Sequence, residues 1–163
     1  MFRIEAEKLL VGFVLAFIVA VDMLGTTMLG RLVPTIPSSI SVLVSLCLLI
    51  RFKDIKKFSI NYLIFAPLLL IVGFLVALQM KNYSFLAYMI LLVSLYDMDM
   101  DFILKVYSAV VIPFILGTVL LSLVHVIPNL QFIQMRNTGV VTRNSFGFIY
   151  PTDFASHCFY LYV

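Results

Sequence analysis

Four polar features interrupt an otherwise apolar chain, and each suggests a chemistry. Asp22 lies inside a long apolar run. A carboxylate at mid-bilayer costs about 2.5–3.5 kcal/mol on insertion scales, so it must face protein or water. His125, near the end of a later run, is the other ionisable group at such depth. A carboxylate and an imidazole that meet across helices could form a proton relay or a substrate contact; the blander alternative pairs Asp22 with backbone or an interfacial base and leaves His125 wet near the headgroups. The stretch D-M-D-M-D at 97–101 offers closely spaced carboxylates. A calcium loop would need glycine at Phe102 and glutamate at Ser108, and a D-x-D metal site belongs in a nucleotide-binding fold that this sequence lacks. These aspartates read instead as the cap of the following helix, with Asp101 four residues before Lys105. Cys47 and Cys158 have neither ligand spacing nor a near partner and read as small apolar residues, so no metal or cofactor is expected. The fourth feature is T-R-N-S-F-G-F-I-Y-P-T-D-F-A-S-H at 142–157, where an arginine, a glycine between phenylalanines and a P-T-D turn stand between two apolar runs.

The elements that must position these residues are membrane helices. Of the 163 residues, 63% are hydrophobic and 12% charged, and the mean hydropathy is +1.14; soluble domains have about 25% charged residues. Apolar runs of about 20 residues recur, the length a helix needs to cross roughly 30 Å of hydrocarbon. The reading is all-α and polytopic, with spans near 9–30, 36–50, 59–79, 83–96 and 107–128 and a sixth starting near 151. The second and fourth runs are short and reach both interfaces only by snorkelling or local thinning. Pro67 and Pro113 fall mid-span and read as kinks. No repeat or linker divides the chain, so it reads as one transmembrane unit, 1–163, in which only the loop 129–150 is long enough to build anything. Glu5 and Glu7 offset Arg3 and Lys8, which argues for an uncleaved first span rather than a secretion signal.

Basic residues are retained in the cytoplasm. An inside N-terminus puts Arg3, Lys8, Arg51, Lys53, Lys56, Lys57 and Lys105 there, against Arg31, Lys81, Arg136 and Arg143 outside, which together make the 11 Lys and Arg of the chain. The loop 129–150 is then expected outside the cytoplasmic membrane. The formal charge of +3, spread over short loops, provides no basic stripe for nucleic acid.

Residues 90–163 carry an order of features: an apolar span, an acidic turn with D-F-I-L-K, a span with Gly117, an arginine-bearing loop, then R-N-S-F-G-F-I-Y-P-T-D-F-A opening a further span. This order resembles the middle of bacterial polysaccharide polymerases of the Wzy type, in the wider O-antigen polymerase and ligase-like membrane family. There a stretch of the form R-x-S-h-G-F, usually followed by H-P-N, leads into a helix. Arg143, Ser145, Gly147, Phe148 and Pro151 match, whereas Tyr150 and Thr152 stand where histidine and asparagine are usual.

The resemblance implies an enzyme that joins oligosaccharide repeat units carried on undecaprenyl diphosphate, in exopolysaccharide or surface polysaccharide synthesis. It implies the bilayer and the lipid-linked oligosaccharide as partners, with chain-length regulator proteins beside them. The chain would be the N-terminal part of a longer polymerase. A planar guanidinium can grip diphosphate oxygens in two-pronged fashion, a role the resemblance assigns to Arg143 with Arg136 assisting. Gly147 would permit close backbone approach, Phe148 and Tyr150 would stack on a sugar or anchor at headgroups, and Thr152 with Asp153 would cap the sixth helix or bond sugar hydroxyls. Two alternatives stand beside this reading: a transporter or flippase segment with Asp22 and His125 lining its path, and an inactive truncated polymerase.

Overall fold

A computed structural model describes residues 2–33, 36–53, 58–136 and 139–162. The described residues are mostly helical, 73% of them, with six α-helices and one hairpin: α1 (Phe2–Thr26), α2 (Ser38–Leu46), α3 (Ile60–Met80), α4 (Ser84–Ser94), α5 (Met100–Leu123), β1 (Gln131–Arg136), β2 (Gly139–Asn144) and α6 (Pro151–Tyr162). Three helices, α1, α3 and α5, are long and apolar enough to cross a membrane. The 11 residues of α4 rise only about 17 Å at 1.5 Å each. Helix α2 gives way after nine residues to a tighter 3-10 segment, Cys47–Lys53. Helices of bilayer length therefore number three among the described residues, where the apolar runs suggested five and the start of a sixth. The basic loop 51–57, which dominates the orientation count, falls partly outside the described residues.

Contacts sort the chain into two compact units. The first holds residues 1–18 and 36–106. Within it, α3 turns Tyr62, Ala66, Gly73 and Ala77 inward. Small residues on one face let helices approach closely where no water drives them together. A Cβ on Gly73 would lie 2.8 Å from Met89 Cγ on α4. Ser59 caps α3 by accepting from the Tyr62 amide at 3.3 Å, and the Tyr62 hydroxyl donates to the Val93 carbonyl. The other face of α3, including Ile64, Phe65, Leu68, Ile71 and Leu75, is exposed, as suits a helix whose solvent is lipid. The start of α5 follows the capping expectation: Asp99 Oδ1 accepts from the Asp101 amide at 3.1 Å.

The second unit holds residues 19–35 and 107–163. Met23, Val111, Ile115 and Phe148 form its core, with Val19, Tyr107, Phe114, Val119, Phe154 and Leu161 packed around them. Two helix ends differ from the expected spans. Helix α1 stops at Thr26 instead of running to 30. Thr27 is extended, with φ −117° and ψ 158°, and forms an isolated antiparallel bridge with Phe148. The backbone groups this break frees are satisfied by the distant segment: Met28 N–H donates to Gly147 O at 2.8 Å and Ile149 N–H to Thr26 O at 2.9 Å. Helix α5 ends at Leu123 instead of 128. The Val126 amide reaches back to Leu121 O at 2.9 Å and the His125 amide to Ser122 O at 3.2 Å, with His125 left-handed at φ +61°. This is the Schellman closure of a helix C-terminus.

The loop 129–150 builds the hairpin, whose antiparallel register runs from Gln131↔Asn144 to Arg136↔Gly139. An all-helical reading did not contain it.

Candidate functional site

The R-N-S-F-G-F-I-Y-P-T-D stretch divides into a supporting part and a presented part. Ser145 is fully buried and closes the hairpin base: its amide donates to Leu130 O at 2.9 Å and its Oγ accepts from the Leu130 amide at 3.1 Å. Asn129 Oδ1 accepts from the Phe146 amide at 2.9 Å, holding Phe146 at φ +50°. Gly147 follows at φ +85°, and a Cβ there would lie 2.8 Å from Ile127 Cδ1 and 3.0 Å from Thr118 O. A close backbone approach was expected of Gly147; its neighbour is α5 itself, so its role is to let the turn settle on that helix. Phe148 is 0% exposed in the core. Its ring has no free face, which corrects the expectation that it stacks on a sugar or anchors at headgroups.

The presented part is Arg143 with two aromatic rings. Arg143 stands opposite Phe132 in the hairpin, and the Phe132 ring lies 5.8 Å from that of Tyr150 at 43°. Side chains directly opposite in an antiparallel pair have Cβ atoms about 5 Å apart. The guanidinium and the aromatic pair therefore share one surface, Tyr150 being 55% exposed. Nothing in the local sequence around Phe132 marks it; only the register reveals it. Arg136 pairs with Gly139, four rungs away, or about 13 Å along the strands.

The P-T-D turn starts α6 with Pro151 at the first helical position. Asp153 Oδ2 accepts from the Tyr150 amide at 3.3 Å, one half of a capping box. Asp153 takes the capping role expected of Thr152 and Asp153 jointly. Exposed Thr152 supplies only its carbonyl, to Ser156 Oγ at 2.8 Å.

Of the polar residues placed inside the apolar part, Asp22 lies on α1 and His125 two residues beyond the end of α5. His125 is exposed at the helix closure described above. Asp22 is within electrostatic reach of Tyr107, and so is Tyr160. The imidazole that meets α1 is His157, whose Nε2 lies 3.4 Å from Thr26 Oγ1. Residues 22 and 26 are one turn apart on α1, and 157 and 160 nearly one turn apart on α6. The Thr26 hydroxyl has a single hydrogen and two backbone acceptors for it, Asp22 O at 3.2 Å and Met23 O at 3.4 Å. It therefore accepts from imidazole N–H, which favours the tautomer with the proton on Nε2. His157 Nδ1 is left as a buried lone pair without a partner among the described residues. The periodic signal for His157 is the polar spacing Asp153, His157, Tyr160 along α6.

No protein-family model matches the chain, and no curated protein and no solved structure matches it either.

Proposed function

We propose that the chain acts in polysaccharide assembly, as part of a polymerase that joins undecaprenyl-diphosphate-linked repeat units at the outer face of the cytoplasmic membrane. The observation that carries this reading is the surface shared by Arg143, Phe132 and Tyr150, together with the R-N-S-F-G-F resemblance. A sugar joined to a diphosphate presents an anion beside a ring with apolar C–H faces. A guanidinium beside two aromatic rings complements both. In the reaction, an acceptor hydroxyl attacks the anomeric carbon of the lipid-linked chain, a glycosidic bond forms, and the carbon–oxygen bond to the diphosphate breaks. The bonding pair leaves on the lipid diphosphate, where Arg143 offsets the developing charge. Chain-length regulators are further partners in this reading. Its topology has a cytoplasmic N-terminus, five spans with α2 and α4 crossing by local thinning, and α6 beginning a sixth. The test is polymer on a gel from a strain lacking its own polymerase, complemented at matched abundance with the complete polymerase that contains this chain. Polymer with the unaltered chain and its loss with Arg143→Ala support the reading; polymer from both removes Arg143 from it, and none from either removes the function.

A second reading, a transport segment, is favoured by one observation: Asp22, Tyr107 and Tyr160, with Thr26 and His157 nearby, bring polar groups together from the two apolar helices α1 and α5 and from α6. Such groups mark pathways in membrane proteins.

A further inference from the structure

The hairpin has a second surface, which the reading above does not use. In a strand, alternate side chains point to opposite faces. One face carries the rung Phe132↔Arg143; the other carries Met135↔Val140 and Ile133↔Thr142. On this second face Met135 is 85%, Ile133 73% and Val140 64% exposed, three large apolar side chains clustered toward the hairpin tip. A two-stranded ribbon is marginally stable by itself and gains from an apolar surface on which to lie.

We propose that this face rests on the bilayer, with Ile133, Met135 and Val140 entering the boundary between headgroups and acyl chains. Two features select a lipid surface as the occupant. The hairpin leaves α5, a helix of bilayer length, after only the seven residues 124–130, and leads after six more, 145–150, into α6, so the membrane surface lies within its reach. The chain is also free of acidic residues from 102 to 152, while Lys105, Arg136 and Arg143 fall in that interval; a positive, acid-free segment suits anionic headgroups. An amphipathic element in this setting buries its apolar side about 5–10 Å into the boundary. The opposite face, with Arg143, is then held at the level of the phosphate groups. The inference concerns only where the hairpin lies, and it stands whether or not the polymerase reading does.

The protein contains no tryptophan, so a single introduced indole reports its own surroundings. The experiment compares Met135→Trp and Val140→Trp on the apolar face with Gln134→Trp on the other, in vesicles of phosphatidylglycerol and phosphatidylcholine with and without bromine on the acyl chains. All three positions lie on the hairpin surface, and Val140→Trp guards against a local disturbance at Met135. The result expected is blue-shifted emission from Met135→Trp and Val140→Trp, quenched several-fold more strongly by brominated lipid than Gln134→Trp. Water-like, unquenched emission from both apolar-face variants overturns the proposal. So does blue-shifted emission that brominated lipid leaves untouched and that reverts when the protein is diluted in lipid, because a second copy of the chain then covers the face.

Discussion

Met28 and Gly147 are joined through their backbones, amide to carbonyl at 2.8 Å, and the return bond from Ile149 to Thr26 at 2.9 Å makes the pair a two-sided clamp between the end of α1 and the turn before α6. In an apolar environment an unsatisfied backbone group costs several kcal/mol, so each segment completes the other. Gly147 is the position that cannot change. Gly147→Ala introduces a Cβ at φ +85° and within 3.0 Å of Thr118 O, which cannot move without disturbing α5. The expected loss is about 2–4 kcal/mol, read as a lowered thermal unfolding midpoint in detergent. Gly117→Ala, where a Cβ meets nothing within 4 Å, is the control and should leave the midpoint in place.

Phe148 and Tyr150 separate support from presentation. Phe148→Ala removes a fully buried ring from the core that Met23, Val111 and Ile115 share with it, at an expected cost of about 3–5 kcal/mol. Tyr150→Ala removes an exposed ring and should change stability by less than about 1 kcal/mol. Unfolding of the purified variants by heat or denaturant checks the pair. Equal losses from both would place Tyr150 in the packing and off the surface.

Much of this division was legible in the residues, for local reasons. The apolar runs of α1, α3 and α5, the Asp99 cap and the helix start at P-T-D all follow from nearby sequence. What was not legible depends on partners far along the chain. Thr26 and Thr27 end α1 because residues 147–149 take over its backbone bonds, and nothing between 9 and 30 announces a partner about 120 residues away. The hairpin was not legible because Phe132 and Val141 fall on the face opposite Ile133, Met135 and Val140, so neither strand shows the clean apolar–polar alternation that marks a half-buried strand. His125 drew attention by its depth in an apolar run, yet its left-handed backbone belongs to a helix closure. His157 shows only in the polar spacing of α6, and its neighbour Thr26 only in the fold.

His157 is open to direct observation because the chain has two histidines. In a His125→Gln background, nitrogen NMR of histidine-labelled protein reads His157 alone. The expected neutral form carries its proton on Nε2, toward Thr26. Thr26→Val removes the acceptor and should let the Nδ1–H tautomer become populated. A dominant Nδ1–H form in the unaltered background would overturn the assigned bond direction.

The orientation expected from the basic residues can be measured with a cysteine probe. Cys47 and Cys158 are both exposed, so they are replaced first. A cysteine at Gln134, exposed on the hairpin face opposite Met135, is expected to react with an impermeant thiol reagent in intact cells, and one at Lys53 only after the membrane is opened. The reverse pattern would move the hairpin to the cytoplasmic side and exclude chemistry at the outer face.

Arg143→Lys distinguishes a diphosphate grip from simple positive charge. Lysine keeps the charge and can snorkel to the same interface, so abundance and stability should hardly change. Its ammonium is a point charge, however, and cannot present two parallel donors to neighbouring phosphate oxygens. If the guanidinium stabilises charge on the departing lipid diphosphate, its loss should cost on the order of 2–4 kcal/mol in the transition state, roughly a hundredfold or more in rate. Shortened or absent polymer at matched protein level is the expected outcome. Phe132→Leu on the opposing strand should weaken polymer formation less, because it removes stacking from one sugar face and leaves the diphosphate contact in place. Full-length polymer from Arg143→Lys together with its loss from Arg143→Ala would reduce the role to charge alone, and full-length polymer from both would leave the arginine as a headgroup anchor.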